Sequence, residues 1–172
     1  MSRGATDILN MRKLVFVALL FAVIGSSCSK IESYDMEKQM AIDEKVIKDF
    51  IAEKNLANVK RTDNGVYYII EEPGSGDVKY TRSTTIKAKY EGRLLNGKVF
   101  DSSKKGDKDE FTFALGDVIP GWQIGIQLIQ KGGKIRLLIP SPFAYQNRGQ
   151  GSIPANAVLD FDVELLDVTN PQ

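Results

Sequence analysis

The sequence predicts an α+β domain, an antiparallel β-sheet wrapped around one short helix and preceded by an N-terminal helix. Three observations carry that expectation. Beyond Asn58 the apolar residues recur mainly with period two, as half-buried strands require. One stretch, Gly121 to Gln130, departs from that period and reads as a helix of about three turns. Asn96-Gly97 stands between apolar pairs, the signal of a hairpin with a type I′ turn. The chain has 172 residues, 42% hydrophobic and 26% charged, enough for one domain with a core plus appendages.

The elements follow from the N-terminus. Met11-Arg12-Lys13 is a short basic segment, and Leu14 to Ile24 is an unbroken apolar run. That run is too short to span a bilayer and has the size of a signal-peptide core. Gly25-Ser26-Ser27 then lead to Cys28, the one cysteine of the chain. The arrangement resembles a bacterial lipoprotein signal, with Cys28 as the lipidated first residue and translation starting at Met11. A plain secretory signal with an incidental Cys is the alternative. Residues 29–35 read as a tether. Residues 37–54 read as an amphipathic helix, with Ile42, Val46 and Phe50 at i, i+4, i+8 and Ile47 and Ile51 beside them. Its apolar face either lies on the domain or makes a dimer contact.

Val66, Tyr68 and Ile70 alternate, and the turn-rich stretch Glu71 to Asp77 ends that strand. Ile86, Ala88 and Tyr90 face one way, with Lys87, Lys89 and Glu91 opposite. Phe111, Phe113 and Leu115 alternate before Gly116, while Asp107 to Glu110 reads as a solvated loop. Ile135, Leu137 and Ile139 form a strand ending at Pro140, and a loop rich in Pro and Gly covers residues 140–154. Leu159, Phe161, Val163 and Leu165 alternate with acidic residues in the last strand.

Composition narrows the chemistry. The chain has no His, which removes His-based triads, imidazole acid–base catalysis and His metal ligands. One Cys allows no internal disulfide and no Cys-rich zinc site. No metal and no cofactor is expected. A net charge of +1, with aromatics that do not interleave with basic clusters, argues against nucleic acid as a partner. Trp122, the only Trp, sits at a helix entrance among glycines and after Val118-Ile119-Pro120. It either packs the interior or floors a pocket.

Four stretches together resemble an FKBP-type peptidyl-prolyl isomerase domain: YEGRLLNGKVFDSS (90–103), FTFALGDVIPGWQIGIQLIQKGGK (111–134), IPSPFAYQNRGQGSIPANAVL (139–159) and FDVELLDV (161–168). Residues 61–83 are similar to the family's leading strand and turn. The organisation this suggests is a signal region at 1–28, a tether and helix at 29–60, and an isomerase domain at 61–170. The resemblance implies a half-open antiparallel sheet curled around the short helix, with an apolar pocket between them. It also implies that Trp122 floors that pocket, under the substrate proline. Val118 and Ile119 match the wall just before it, and Tyr90, Phe100, Phe111, Ile153 and Phe161 match the others. Tyr145 matches the rim tyrosine whose hydroxyl meets the ligand's carbonyl, and Asp101 the carboxylate at the pocket edge. Asp101, Tyr145 and Phe161 carry the catalytic expectation. Asp101 also reads as a turn residue ahead of Ser102-Ser103. No Arg stands where many members pair that carboxylate, which leaves Lys104, Lys105 or Lys108 as substitutes.

The implied function is isomerisation of X-Pro bonds in exported proteins, with a non-catalytic proline-binding chaperone or envelope interaction module as the alternative. Implied partners are proline-containing polypeptides, macrolide inhibitors, and a membrane through Cys28. A monomer is expected, with a dimer through residues 37–54 as the other possibility. No acidic run follows Cys28, which favours the periplasmic face over the cell surface.

Overall fold

The structure, a computed structural model, describes residues 34–171. The signal region, Cys28 and most of the tether lie outside the described residues. Helix α1 (Met36–Glu53) starts at Asp35, whose carboxylate accepts the Lys38 N–H at 3.0 Å. It is followed by Asn55 in the left-handed region, at φ 50°.

The buried face of α1 differs from the expected one. Ile42 and Val46 are 49% and 40% exposed, whereas Asp43, Ile47 and Phe50 point inward. At Ile42 and Val46 the apolar pattern set the face one residue out, because it counts an aspartate as outward, while Ile47 and Phe50 are buried within the expected set. Asp43 is 1% exposed and its carboxylate is satisfied by hydrogen bonds within the fold. Ile47 and Phe50 pack with Tyr67, Leu138 and Val158.

The sheet is antiparallel throughout. Its strands are β1 (Lys60–Arg61), β2 (Tyr67–Glu72), β3 (Thr85–Leu94), β4 (Val99–Ser102), β7 (Phe111–Ala114), β8 (Lys134–Ile139) and β9 (Leu159–Thr169), with β5 (Lys104–Lys105) and β6 (Lys108–Asp109) as a separate pair. The order is β1-β2-β8-β9-β3-β4, and β7 also pairs with β3. Strand β3 runs along β9 from Thr85↔Thr169 to Leu94↔Leu159, with a bulge at Lys87/Ala88. Alternation gives the sheet two faces. Ile86, Ala88, Ile135, Leu137, Ile139, Leu159, Phe161, Val163 and Leu165 form the main core. Leu138 packs in the smaller cluster with Ile47 and Phe50 of α1.

Helix α2 (Pro120–Gly125) enters through Pro120 in its first turn. It is shorter than the three turns expected, since Ile126–Leu128 tightens into a 3₁₀ turn. Its glycines set how closely it rides on the sheet. A Cβ on Gly121 would stand 2.3 Å from Ile139 Cγ2, and one on Gly125 2.5 Å from Leu137 Cδ2.

Two turns also depart from expectation. In the β3–β4 hairpin only Gly97 takes a positive φ, 85°, so the turn is not type I′. Leu94 accepts from Gly97 N–H and donates to Lys98 O, a three-residue loop with its glycine in the left-handed position. The acidic stretch read as a loop contains β6, paired with β5 in a small exposed hairpin.

Candidate functional site

Strand pairing explains the assembly of the site. Gly92 on β3 stands between Asp101 on β4 and Phe161 on β9, which in turn faces Leu137 on β8. The β3–β4 register slips beside Gly92, and Val99 rather than Phe100 pairs with Arg93. A regular strand points consecutive side chains to opposite faces. With this slip Phe100 and Asp101 both line the same cavity. Gly92 is the spacer of the row. A Cβ there would lie 2.5 Å from Phe161 Cε1 and 2.7 Å from Phe100 Cζ.

Trp122, on the first turn of α2, is 4% exposed. Tyr90 and Phe161 meet it edge-on, at centroid distances of 5.1 Å and 5.2 Å. Phe113 is tilted against it at 5.4 Å and stacks on Phe111 at 5.1 Å. Phe100 stands edge-on to Phe161 at 5.4 Å. Rings in edge-to-face contact hold one another in place. They leave a cavity of about 310 Å³ lined by Tyr90, Phe100, Asp101, Phe111, Asp117, Val118, Ile119, Trp122, Tyr145 and Phe161. Trp122 therefore belongs both to the core and to the cavity lining.

Nine of the ten residues singled out in the sequence line this cavity. The tenth, Ile153, is 7% exposed, sits in the main core and is bridged to Gln150, off the lining. Asp117, Phe113 and Gly92 were missed. Asp117 had a usable signal in its position next to the Val118-Ile119 wall. Gly92 had none beyond being a glycine inside a strand pattern.

Polar groups are few. The Tyr90 hydroxyl donates to Asp101 Oδ2 at 2.6 Å, and Ser102 N–H donates to Asp101 Oδ1 at 2.9 Å. Asp101 is thus a local turn residue and a cavity residue at once. Among the described residues no Lys forms an ion pair with it, and the Tyr90 phenol is its partner. Burial, then the bond to Asp101, pushes the Tyr90 phenol well above its ordinary value. Burial, then the charge of Asp101, raises Tyr145. Both stay protonated donors at neutral pH. Trp122 Nε1 is buried with no hydrogen-bond partner among the described residues. A larger groove of about 710 Å³ lies beside α1, but Arg93, Arg136, Asp160, Asp49 and Lys54 line it.

An open antiparallel sheet closed by one short helix, with an aromatic cavity at the helix entrance, has the form that sites for small apolar groups take. The chain belongs to the FKBP-type peptidyl-prolyl cis-trans isomerase family, whose model matches residues 76–166. It is 43% identical over 138 residues to the FKBP-type peptidyl-prolyl cis-trans isomerase FkpA of Escherichia coli, covering 77% of this chain and 49% of that protein. A probable FKBP-type isomerase of Haemophilus influenzae is 50% identical over 118 residues, 67% of this chain and 47% of the relative. Its fold is similar to the crystal structure of E. coli FkpA, with a TM-score of 0.67 at 35% identity over 98% of this chain and 75% of that one. The chain spans about half the length of the curated relatives it matches.

Proposed function

We propose that the chain is a peptidyl-prolyl cis-trans isomerase acting on X-Pro bonds of exported proteins, with Trp122 beneath the bound proline. The observation that carries this reading is the aromatic cavity of about 310 Å³ with its sparse polar rim. Proline is apolar and has no N–H to satisfy, so an aromatic floor without acceptors suits it. Family membership of residues 76–166 supports the same activity.

The reaction needs no acid, base or metal. Rotation about a peptide bond is opposed by roughly 18–20 kcal/mol of resonance, and unaided X-Pro exchange takes tens to hundreds of seconds. Twisting the C–N bond returns charge to nitrogen and makes the carbonyl less polar. A dry aromatic cavity therefore favours the twisted amide over the planar, dipolar one. Stronger binding of that state is what accelerates the step. Tyr145 and the Ile119 N–H orient the substrate carbonyl. Asp101 holds Tyr90, and Phe161 supports the indole.

The test is a protease-coupled assay on short X-Pro peptides, with and without a macrolide that fills the cavity. Turnover is expected in the native chain. Phe161→Leu and Asp101→Ala are expected to lower kcat/KM severalfold with unchanged circular dichroism, a loss of about 1–2 kcal/mol of transition-state binding. Unchanged kinetics in both variants discards the site. Binding of prolyl peptides without turnover leaves a binding module.

An envelope location is part of the same reading, supported by the basic segment, apolar run and small residues ahead of Cys28. A lipid on Cys28 would hold the isomerase domain, residues 61–170, at the periplasmic face of a bacterial membrane. Fatty-acid labelling of the chain in a bacterial host tests the anchor, and absence of label removes it.

A further inference from the structure

We propose that Asp43 of α1 is a positioning residue for the cavity, acting through Ser141 on Tyr145. This inference rests on the isomerase reading above. Asp43 and Ser141 are both buried. Asp43 Oδ2 accepts the Ser141 backbone N–H and the Ser141 hydroxyl, each at 2.7 Å, across 98 positions of sequence. Its other oxygen accepts Gln39 Nε2 at 2.7 Å, so three donors satisfy one buried carboxylate. A carboxylate taken out of water is costly without such bonds, which makes this contact specific in geometry.

Ser141 opens the 3₁₀ turn Ser141–Phe143, directly after β8 and Pro140. The N–H groups at the start of such a turn have no partner inside it. Asp43 therefore caps the turn from a different element. The Ser141 carbonyl in turn accepts the Ala144 N–H at 3.0 Å, and Phe143 N–H bonds Pro140 O at 3.0 Å. Tyr145 follows immediately. On its other side Gln146 takes φ 52°, and its carbonyl accepts the Asn156 N–H at 2.7 Å. Among the described residues the Tyr145 hydroxyl has no hydrogen bond of its own, so the backbone on either side sets where the ring stands. On the N-terminal side that setting runs through Asp43. Helix α1, which does not line the aromatic cavity, thereby controls the residue at its rim.

A double-mutant cycle in the full chain tests this. Asp43→Asn and Asp43→Ala are expected to lower kcat/KM about three- to tenfold, the scale of one misplaced hydrogen bond. Combined with Tyr145→Phe, either should lower it by less than about twofold further, since the coupled part is already lost. Ile47→Ala is the control. It weakens the packing of α1 against Tyr67, Leu138 and Val158 but keeps the Asp43 carboxylate, and is expected to leave turnover unchanged below its melting temperature. Equal losses from Asp43 replacement in both backgrounds would overturn the proposal, as would an equal loss from Ile47→Ala. If the native chain turned over no peptide, the isomerase reading would fall on its own. The link would then be read from the ring signals of ¹³C-labelled Tyr145. Asp43→Asn moves those signals if Asp43 positions the ring, and unmoved signals overturn the proposal.

Discussion

On one face of β8 and β9, Ile135, Leu137, Ile139, Leu159, Phe161 and Val163 pack in the main core with Trp122 and Ile126. On the other, Leu138 meets Ile47 and Phe50, and Arg136 lies 5.9 Å over the Phe50 ring. The two faces handle polar groups in opposite ways. Toward α1, buried Asp160 accepts Arg136 Nε at 2.9 Å and Nη2 at 2.8 Å, and Asp43 accepts three donors. Toward α2 the aromatic cluster carries few polar groups, chiefly the Tyr90–Asp101 pair and the Tyr145 hydroxyl at the cavity, and the buried Trp122 Nε1 has no partner among the described residues. The face that satisfies its polar groups serves as scaffold, and Asp43 is the member of it proposed to act on the cavity rim, through Ser141. The face that leaves ring surface open can hold a ligand, because apolar surface without a partner gains most from being covered.

The largest expected effect breaks the α1 face. Asp160→Ala leaves Arg136 without its bidentate partner, while Arg93 keeps Asp162 at 2.6 Å and Glu91 at 2.9 Å. Removing one member of a buried pair costs about 3–5 kcal/mol, and the partial exposure of Arg136 puts the expectation near the lower end. Urea unfolding of the variant measures it. Turnover at a temperature where the variant remains folded is expected to stay within about twofold of native, since Asp160 does not line the aromatic cavity. A large loss of turnover at full folding would show that the two faces do not divide the work this way.

The next effect breaks the α2 face with one methyl group. Gly92→Ala puts a Cβ within 3 Å of both Phe161 and Phe100. Overpacking of that kind costs about 1–3 kcal/mol of stability. Either ring can relieve it only by moving, and both border the cavity. Loss of kcat/KM by tenfold or more is expected, which is about 1.4 kcal/mol in the barrier. Measured together, the two variants should invert the ranking of stability against turnover.

Gly92 also marks the limit of what the sequence made legible. The strict alternation of Leu159, Phe161, Val163 and Leu165 predicted β9 and its buried face, and all four are buried. The resemblance to the isomerase family implied nine of the residues that line the cavity. Asp43 was hidden because an acidic residue inside a helical pattern reads as solvated until its partner, 98 positions away, is placed beside it. Helix α2 was shorter than its sequence suggested, since Gly121 and Gly125 lower helix propensity yet let the backbone rest on Ile139 and Leu137. In each case the missing information was a close approach between segments distant in sequence.

The smallest expected effect comes from alkaline pH and separates the faces once more. Burial pushes the Tyr80 phenol up to about 12, and its hydroxyl donates to Ile129 O at 2.7 Å beneath the main core. Tyr90 and Tyr145, on the same side, are raised as well. A phenol raised on folding contributes stability that is fully present below its unfolded value, about pH 10. That contribution is lost as pH climbs through the folded value, about 12 for Tyr80. The melting temperature is therefore expected to hold to about pH 10 and then fall. Tyr80→Phe should remove part of that fall. Tyr67→Phe on the α1 face should change it less, because the Tyr67 phenol, raised by burial and then by the charge of Glu44, bonds that carboxylate of a surface helix at 3.3 Å instead of a carbonyl beneath the main core. Over the same range kcat/KM is expected to stay flat to about pH 9.5, because the donors at the cavity keep their protons. A midpoint near 7 in the rate profile would instead place an ionising group in the reaction, and the account of an aromatic site that orients its substrate through protonated donors would fail.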